Sequence, residues 1–504
     1  MLGFLLAAGF AYFEKGDYLA AFFPTALVFL AGMGALYFLW QKTGKSKNLR
    51  IILLLALLSR LVAAILLTTF LPLNGYQDSE QQQAGYVFYD AFRRDTAAFD
   101  LAQSDAPLLS AFGKKQHTDQ YGGLLALSAG VYRYLSPDAH RPLLISLIAA
   151  FAALLGIPFL WLAAKELGGE KLAIPAAWIF ALYPEAILMG SSQMREPFLM
   201  SAIALSFWAF LAWQKNKKSR SAQIGLGLGF LLLMLISPAI ALIHLLFLGS
   251  YALLTRRDNP ISLKQGVLVL ALLLVSLFML AAALSKKNIN AASPLGIIAE
   301  WTQRAVQWDA YQLERGSGWV QKLFNEMPAA LHIPFVTAYG LTQPVLPAAL
   351  IEPTTLTWKI LGILRAAGWY LLAPLLLYGL IQLPKLSPAR ARRVWTWIGL
   401  AAWFWIILAS LRAGGDQWDN PRYRVIFLAI QALFAAQAWI RRDAWFGRVL
   451  TVEAVFLAFF TQWYASRYYA RFGTLSFGAM VAWILSISAA ILLLGIVRDR
   501  KKTL

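Results

Sequence analysis

Cysteine is absent from this chain, which excludes a disulfide framework, a thiolate metal site and a thiol nucleophile. Charge is scarce as well: 14% of the 504 residues are Asp, Glu, Lys or Arg, against 59% hydrophobic. A soluble protein could not cover its surface with so few charges, so a water-soluble globular class is excluded. Histidine occurs four times, as His117, His140, His244 and His332, and this wide spacing argues against a zinc site. Also missing are a phosphate-binding Gly-x-x-x-x-Gly-Lys loop, a His-Glu-x-x-His helix and a Gly-x-Ser-x-Gly elbow. No internal repeat stands out, which weakens a transporter built on inverted repeats.

Apolar sequence is what the chain has in excess. Runs of about 17 to 26 residues lie near 18–40, 51–72, 141–163, 172–189, 198–214, 221–237, 238–255, 264–284, 358–383, 395–411, 424–440, 448–464 and 475–497. Each is long enough to cross a hydrocarbon core of about 30 Å as a helix. The expectation is an all-α polytopic membrane protein of about 13 transmembrane helices, within a range of 12–14, with two long external loops carrying interfacial helices. A further apolar piece at 2–10 lacks the basic start and cleavage site of a signal peptide. A short span, a re-entrant piece and an interfacial helix are its three readings.

The net charge of +20 invites a nucleic-acid partner, but the basic residues are parcelled into short loops between apolar runs. Membrane lipid is the expected partner and nucleic acid is not. Alternate loops at 42–50, 165–171, 215–220, 256–264, 385–393, 441–448 and 498–502 hold 24 of the 45 Lys and Arg residues. The short loops on the other side hold 7, among them Arg195, Arg422 and Arg424. The positive-inside rule puts the richer set in the cytoplasm, with the C-terminus, and both long loops outside a plasma (inner) membrane. The chain then divides into an N-terminal membrane piece with a basic loop (1–50), a core including loops 73–140 and 285–357 (51–440), and C-terminal helices with a basic tail (441–504).

Acidic residues close to a membrane surface are the first place to look for chemistry, and the loop at 73–140 opens Tyr76-Gln77-Asp78-Ser79-Glu80. Beyond it Ala84, Val87, Phe88, Ala91, Phe92, Ala98 and Phe99 form a helical stripe suited to an interface, with Tyr86, Tyr89, Asp90, Arg93 and Arg94 elsewhere on the wheel. Ser79 with Gln82 also reads as a capping box, the plain role for this polar start. Arg60, near the middle of the preceding span, costs at least about 2.5 kcal/mol there and needs an interior partner. A structural pair and help in binding an anion are its two readings. Glu185, Arg195 and Glu196 share a tight external turn, and Arg422 and Arg424 stand one residue apart in another, with Asp419 and Tyr423. Guanidiniums in that arrangement suit a phosphate, whereas salt bridges to Asp416 and Asp419 are the plain alternative.

From Arg60 to Arg424 this order of features resembles the GT-C superfamily of membrane glycosyltransferases, in particular the bacterial class related to protein mannosyltransferases and lipid A aminoarabinose transferases. The points of resemblance are Asp78 just past the first core span, the pair Gly85-Tyr86, the run Asp119-Gln120-Tyr121-Gly122-Gly123, the turn from Pro184 to Pro197, and Asn420-Pro421-Arg422-Tyr423-Arg424. Where that family often shows two adjacent acids, Ser79 intervenes here, which leaves the base open between Asp78, Glu80 and neither. The resemblance implies transfer of a sugar from a polyprenyl-phosphate donor to a cell-envelope glycan, lipid or protein on the external face, with inversion. It implies Asp78 as base helped by Glu80, with Arg195, Arg422 and Arg424 around the phosphate and Tyr86, Asp119, Glu196, Asp419 and Tyr423 binding substrate. No cofactor follows from it, and a divalent cation is left open. A lipid-linked saccharide flippase and an O-antigen polymerase or ligase are the competing readings. A flippase predicts a polar path through the bundle, and mid-span charges are few, Arg60 and Arg365 being the ones that stand out.

Overall fold

The computed structural model describes residues 2–113, 118–255, 263–284 and 318–503, with 291, 293–297, 299–301 and 304 between them. Every regular element among these residues is a helix. Helix α1 (Leu2–Ala11) packs on α2 (Tyr18–Lys42), whose start is fixed by Asp17 accepting from Ala20 N at 2.9 Å. Helix α3 (Lys47–Asn74) leads into the first long loop, which folds as α4 (Glu80–Gln83), α5 (Tyr89–Gln103) and α6 (Gly123–Leu135). The single interfacial helix expected after Ser79 is thus split in two. Gly85 breaks it with φ +84°, a conformation a side chain resists. Ser79 does precede α4, but its hydroxyl makes no cap bond.

Helix α7 (Pro142–Leu182) has 41 residues, about 60 Å at 1.5 Å per residue and twice a hydrocarbon core. It is broken at Gly168 and Gly169, where the backbone leaves helical geometry. Gln193, just past its far end, donates to Pro142 O at 3.1 Å, so both ends of α7 lie at one end of the bundle. Prolines then start α8 (Pro184–Gly190) and α9 (Glu196–Lys215), where a missing N–H is no loss. Next come α10 (Arg220–Ile236), α11 (Pro238–Thr255) and α12 (Leu263–Leu284). The second long loop contributes α13 (Gly318–Glu326), α14 (His332–Thr342) and α15 (Leu346–Ile351). His117 falls outside the described residues.

The remaining helices are α16 (Leu356–Gln382), α17 (Ala389–Ala413), α18 (Asp419–Val425), α19 (Leu428–Ile440), α20 (Ala444–Tyr469) and α21 (Phe477–Thr503). Helix α7 is the centre of the molecule, packed by α3, α9 and α19, while α20 and α21 pair at the periphery. Among the described residues eight helices are long and apolar enough to cross a membrane, or nine if α18 and α19, bent by 77°, form one broken span. The expected count of 13 is not reached on those grounds: two expected runs are fused in α7, α10 and α11 are short, and the run at 264–284 is not among the helices so counted.

The bundle has two chemically different ends. At one, Lys215 pairs with Glu166 (2.7 Å), Ser46 Oγ donates to Glu170 (3.3 Å) and Lys385 pairs with Asp443 (3.1 Å), among the basic loops. At the other meet the end of α3, the loop helices α4 to α6, the turn before α9, the start of α16 and the end of α17.

Candidate active site

That second end encloses a cavity of about 840 Å³. Asp90 lies on its wall in the first turn of α5, where the helix dipole favours a carboxylate. Its side chain is 45% exposed and its Oδ2 stands 3.0 Å from a terminal guanidinium nitrogen of Arg422. Burial pushes the Asp90 carboxyl up, but Arg422, Arg94 and Arg195 together outweigh burial and hold it below the ordinary value.

Arg422 is gripped from three sides. Besides Asp90 it faces Asp419 Oδ1 at 3.3 Å and, through Nε, Glu196 Oε1 at 3.3 Å. Glu196 is fully buried and lies 3.9 Å from Arg195 Nε, yet neither of its oxygens accepts an aligned hydrogen bond. The carboxylate therefore holds two arginines by charge more than by donor geometry. Arg422 and Arg424 share α18 but lie 200° apart around it, because each helical residue advances 100°. Arg422 meets the cavity; Arg424 is buried behind it, donating to Gln343 O at 2.6 Å with its guanidinium 3.5 Å from the Trp369 ring centroid.

The opposite wall is aromatic. Trp358 and Trp418 meet edge to face at 4.7 Å, and Tyr76 stacks on Trp358. Gln82 fixes this wall by accepting from Trp358 Nε1 (2.8 Å) and Tyr76 N (2.7 Å). Beneath it Arg365 forms a buried bidentate pair with Glu185 (2.6 and 3.0 Å), donates to Trp418 O and lies under the Trp418 ring. Five arginines line the cavity: Arg94, Arg195, Arg365, Arg412 and Arg422. Among the described residues no three His, Asp or Glu side chains gather as a metal site.

The structure sorts the residues the sequence singled out. Asp119, Arg195, Asp419, Arg422 and Tyr423 line the cavity, with Glu196 directly behind. Asp119 also caps α6, accepting from Tyr121 N and Leu125 N, so part of its role is local structure. Asp78 and Glu80 are exposed and do not line the cavity; Gln81 and Gln82 of the same turn do. Neither residue named as base from the sequence lines the cavity, whereas Asp90 does. Arg60 is buried away from the cavity, donating to Ala56 O of its own helix (3.0 Å), to Ala181 O at the end of α7 (2.9 Å) and to Ala186 O in α8 (3.4 Å). Gly190 makes room for it, since a Cβ there would come within 2.7 Å of its Nε.

Tyr86 likewise points elsewhere. Its hydroxyl donates to Asp95 Oδ2 (2.6 Å), which also receives Tyr132 OH (2.7 Å) and contacts His140 Nε2 (2.9 Å). This network closes the back of α5. Asp90, Arg94, Glu352, Arg365 and Arg412 are the charged cavity residues not assigned from sequence. For Asp90 and Arg94 a signal existed, an acid and an arginine four apart on the polar side of the α5 stripe; for Arg365 and Arg412 only their rarity in spans marked them.

No family model and no curated protein matches the chain. Solved structures of an oligosaccharyltransferase from Archaeoglobus fulgidus are similar to it. AglB in complex with an inhibitory peptide and a dolichol-phosphate is 16% identical with a TM-score of 0.39, over 89% of this chain and 55% of that one. The apo form gives 16% and 0.40, over 88% and 55%, and the form tethered to an acceptor peptide containing the NVT sequon gives 15% and 0.38, over 88% and 54%. The chain therefore spans about half the length of the solved structures it matches.

Proposed function

We propose that this chain is an integral membrane glycosyltransferase of the GT-C type, moving a sugar from a polyprenyl-phosphate donor to a cell-envelope acceptor at the external face. The observation that carries the reading is Asp90 held 3.0 Å from Arg422 on the wall of an arginine-lined cavity at one end of the apolar bundle. A lipid-anchored donor demands a site level with the membrane surface, and the cavity lies where the spans end.

The chemistry divides between those two side chains. Asp90 takes the proton of the acceptor hydroxyl as its oxygen bonds to the anomeric carbon, on the face opposite the departing phosphate, giving inversion. The bond from that carbon to the phosphate oxygen breaks, and Arg422 with Arg195 and Arg412 stabilises the charge left on the phosphate. Arriving phosphate competes with Asp90 for Arg422. As the ion pair loosens, the carboxylate regains basicity, so donor binding arms the base. Tyr76, Trp358 and Trp418 offer ring faces on which sugar C–H groups can pack.

The test is sugar release from a panel of radiolabelled polyprenyl-phosphate sugars by purified protein in lipid, with Asp90→Asn and Asp78→Asn beside the wild type. Release lost in Asp90→Asn and kept in Asp78→Asn is expected. Full activity in Asp90→Asn would remove it as the base, and no release from any donor, with a lysate as acceptor source, would overturn the enzyme reading.

A further inference from the structure

A second cavity, of about 600 Å³, lies at the basic end of the bundle, between the second half of α7, the middle of α16 and the end of α19. Its floor is a helical stripe: Ile174, Pro175, Trp178 and Ile179 follow Lys171 at three, four, seven and eight positions, so all lie along one side of α7. Leu375, Trp439 and Ile440 complete the wall, and Arg442 stands with Lys171 as the only charged groups of the lining. From Lys171 to Ile179 the stripe runs about 12 Å along the helix, a depth suited to the glycerol and first methylenes of a lipid.

The acids next in sequence to these cations are engaged elsewhere. Glu170, beside Lys171, receives Ser46 Oγ at 3.3 Å, and Asp443, beside Arg442, pairs with Lys385 at 3.1 Å. Arg442 is held by Trp439, donating to its carbonyl at 2.9 Å and lying 4.0 Å from its ring centroid. Among the described residues neither Lys171 nor Arg442 makes an ion pair. Two uncompensated cations above an apolar slot outside the bundle core complement one ligand chemistry, an anionic headgroup carrying an acyl chain.

We propose that this groove is a binding site for an anionic phospholipid, whose phosphodiester meets Lys171 and Arg442 while its chain lies along Ile174, Trp178 and Leu375. The site is distinct from the arginine-lined cavity and does not rest on the glycosyl-transfer reading. It ties the second half of α7 to α19, which toward the other end of the bundle carry Ala181, a carbonyl partner of Arg60, and Gln431, which donates to Arg424 O.

The experiment compares the full chain in detergent supplemented with phosphatidylglycerol or phosphatidylcholine, reading retained lipid by native mass spectrometry and the melting temperature. Wild type should retain phosphatidylglycerol and melt higher in it than in phosphatidylcholine. Affinity should fall about thirtyfold in Lys171→Gln/Arg442→Gln and about fivefold in each single variant. Lys217→Gln, an exposed cation at the same end but outside the groove, should change neither readout. Equal retention of both lipids, or undiminished retention in the double variant, overturns the proposal. So does displacement of phosphatidylglycerol by equimolar polyprenyl phosphate, which would assign the groove to the carrier lipid. A double variant that melts lower already in phosphatidylcholine is read by the single variants, whose fivefold losses must then stand on retained lipid alone.

Discussion

Helix α5 carries two carboxylates, Asp90 and Asp95, with opposite fates. Asp95 is buried, and one of its oxygens collects Tyr86, Tyr132 and His140 within 2.9 Å. Asp90 is half-open, and its partner Arg422 is shared with Asp419 and the buried Glu196. The partners of this buried acid are local, two tyrosine hydroxyls and an imidazole on Oδ2, while its Oδ1 is buried without a hydrogen bond, so it is held within the scaffold and does not line the cavity. An acid sharing one arginine with two others, at the edge of a cavity, is held by bonds that an incoming anion can take over. Polar groups left in competition mark the reactive wall, and polar groups left in agreement mark the scaffold behind it.

The sharpest way to break this comparison is Asp90→Asn, expected to lower transfer by about a thousandfold with little change in melting temperature, since a half-exposed side chain contributes little to packing. Sugar release and thermal melting on the same preparation check it. Arg422→Lys should cost about a hundredfold in release, because an ammonium cannot serve three carboxylates and a phosphate with the fork of a guanidinium.

The pH profile sharpens the same contrast. Asp90 is held below the ordinary carboxylate range, about 3.9, so its ionised form is present above that range and is lost as pH falls through the depressed value. The acid limb of kcat/KM in proteoliposomes should therefore lie below pH 4, and Arg422→Ala should move it upward. A limb that stays in place would show that another group sets it.

Asp95→Asn should do the reverse of Asp90→Asn. It removes charge from a buried hydrogen-bond hub, at a cost of about 2 kcal/mol, and lowers the melting temperature while the rate per folded molecule holds within about twofold. A large loss of rate at unchanged stability would erase the distinction between the two acids. Asp78→Asn is expected to have the smallest effect on both readouts, as its side chain is exposed and outside the cavity.

Much of the fold was legible because hydrophobic runs of membrane-spanning length have few alternatives in a bilayer. All the expected runs in described residues are helical, and the basic loops with described partners gather at one end. The count was less legible, since two runs separated by Gly168-Gly169 fold as one broken helix and α18 bends from α19. In the site, Arg195, Arg422, Asp419 and Tyr423 stood out because basic residues are depleted on their side of the sequence pattern, and they do line the cavity. Asp78 attracted the assignment of base by nearness to the span, and nearness in sequence says nothing about which side of a one-turn helix faces a cavity. Arg60, conspicuous because a mid-span charge is costly, turned out to be paired with backbone carbonyls.

The sequence by itself determined that this chain is a bundle of apolar helices with its polar residues at helix ends, because each residue's cost of transfer into a bilayer is a local property. Which polar residues share a site is not local. Asp90 and Arg422 are separated by more than 300 positions and meet because the first turn of α5 and the last turn of the short α18 come together on one wall of the cavity. Arg424, 200° away from Arg422 on the same short helix, packs against Trp369, and the tertiary structure decided which of the two arginines faces a ligand space and which holds the scaffold.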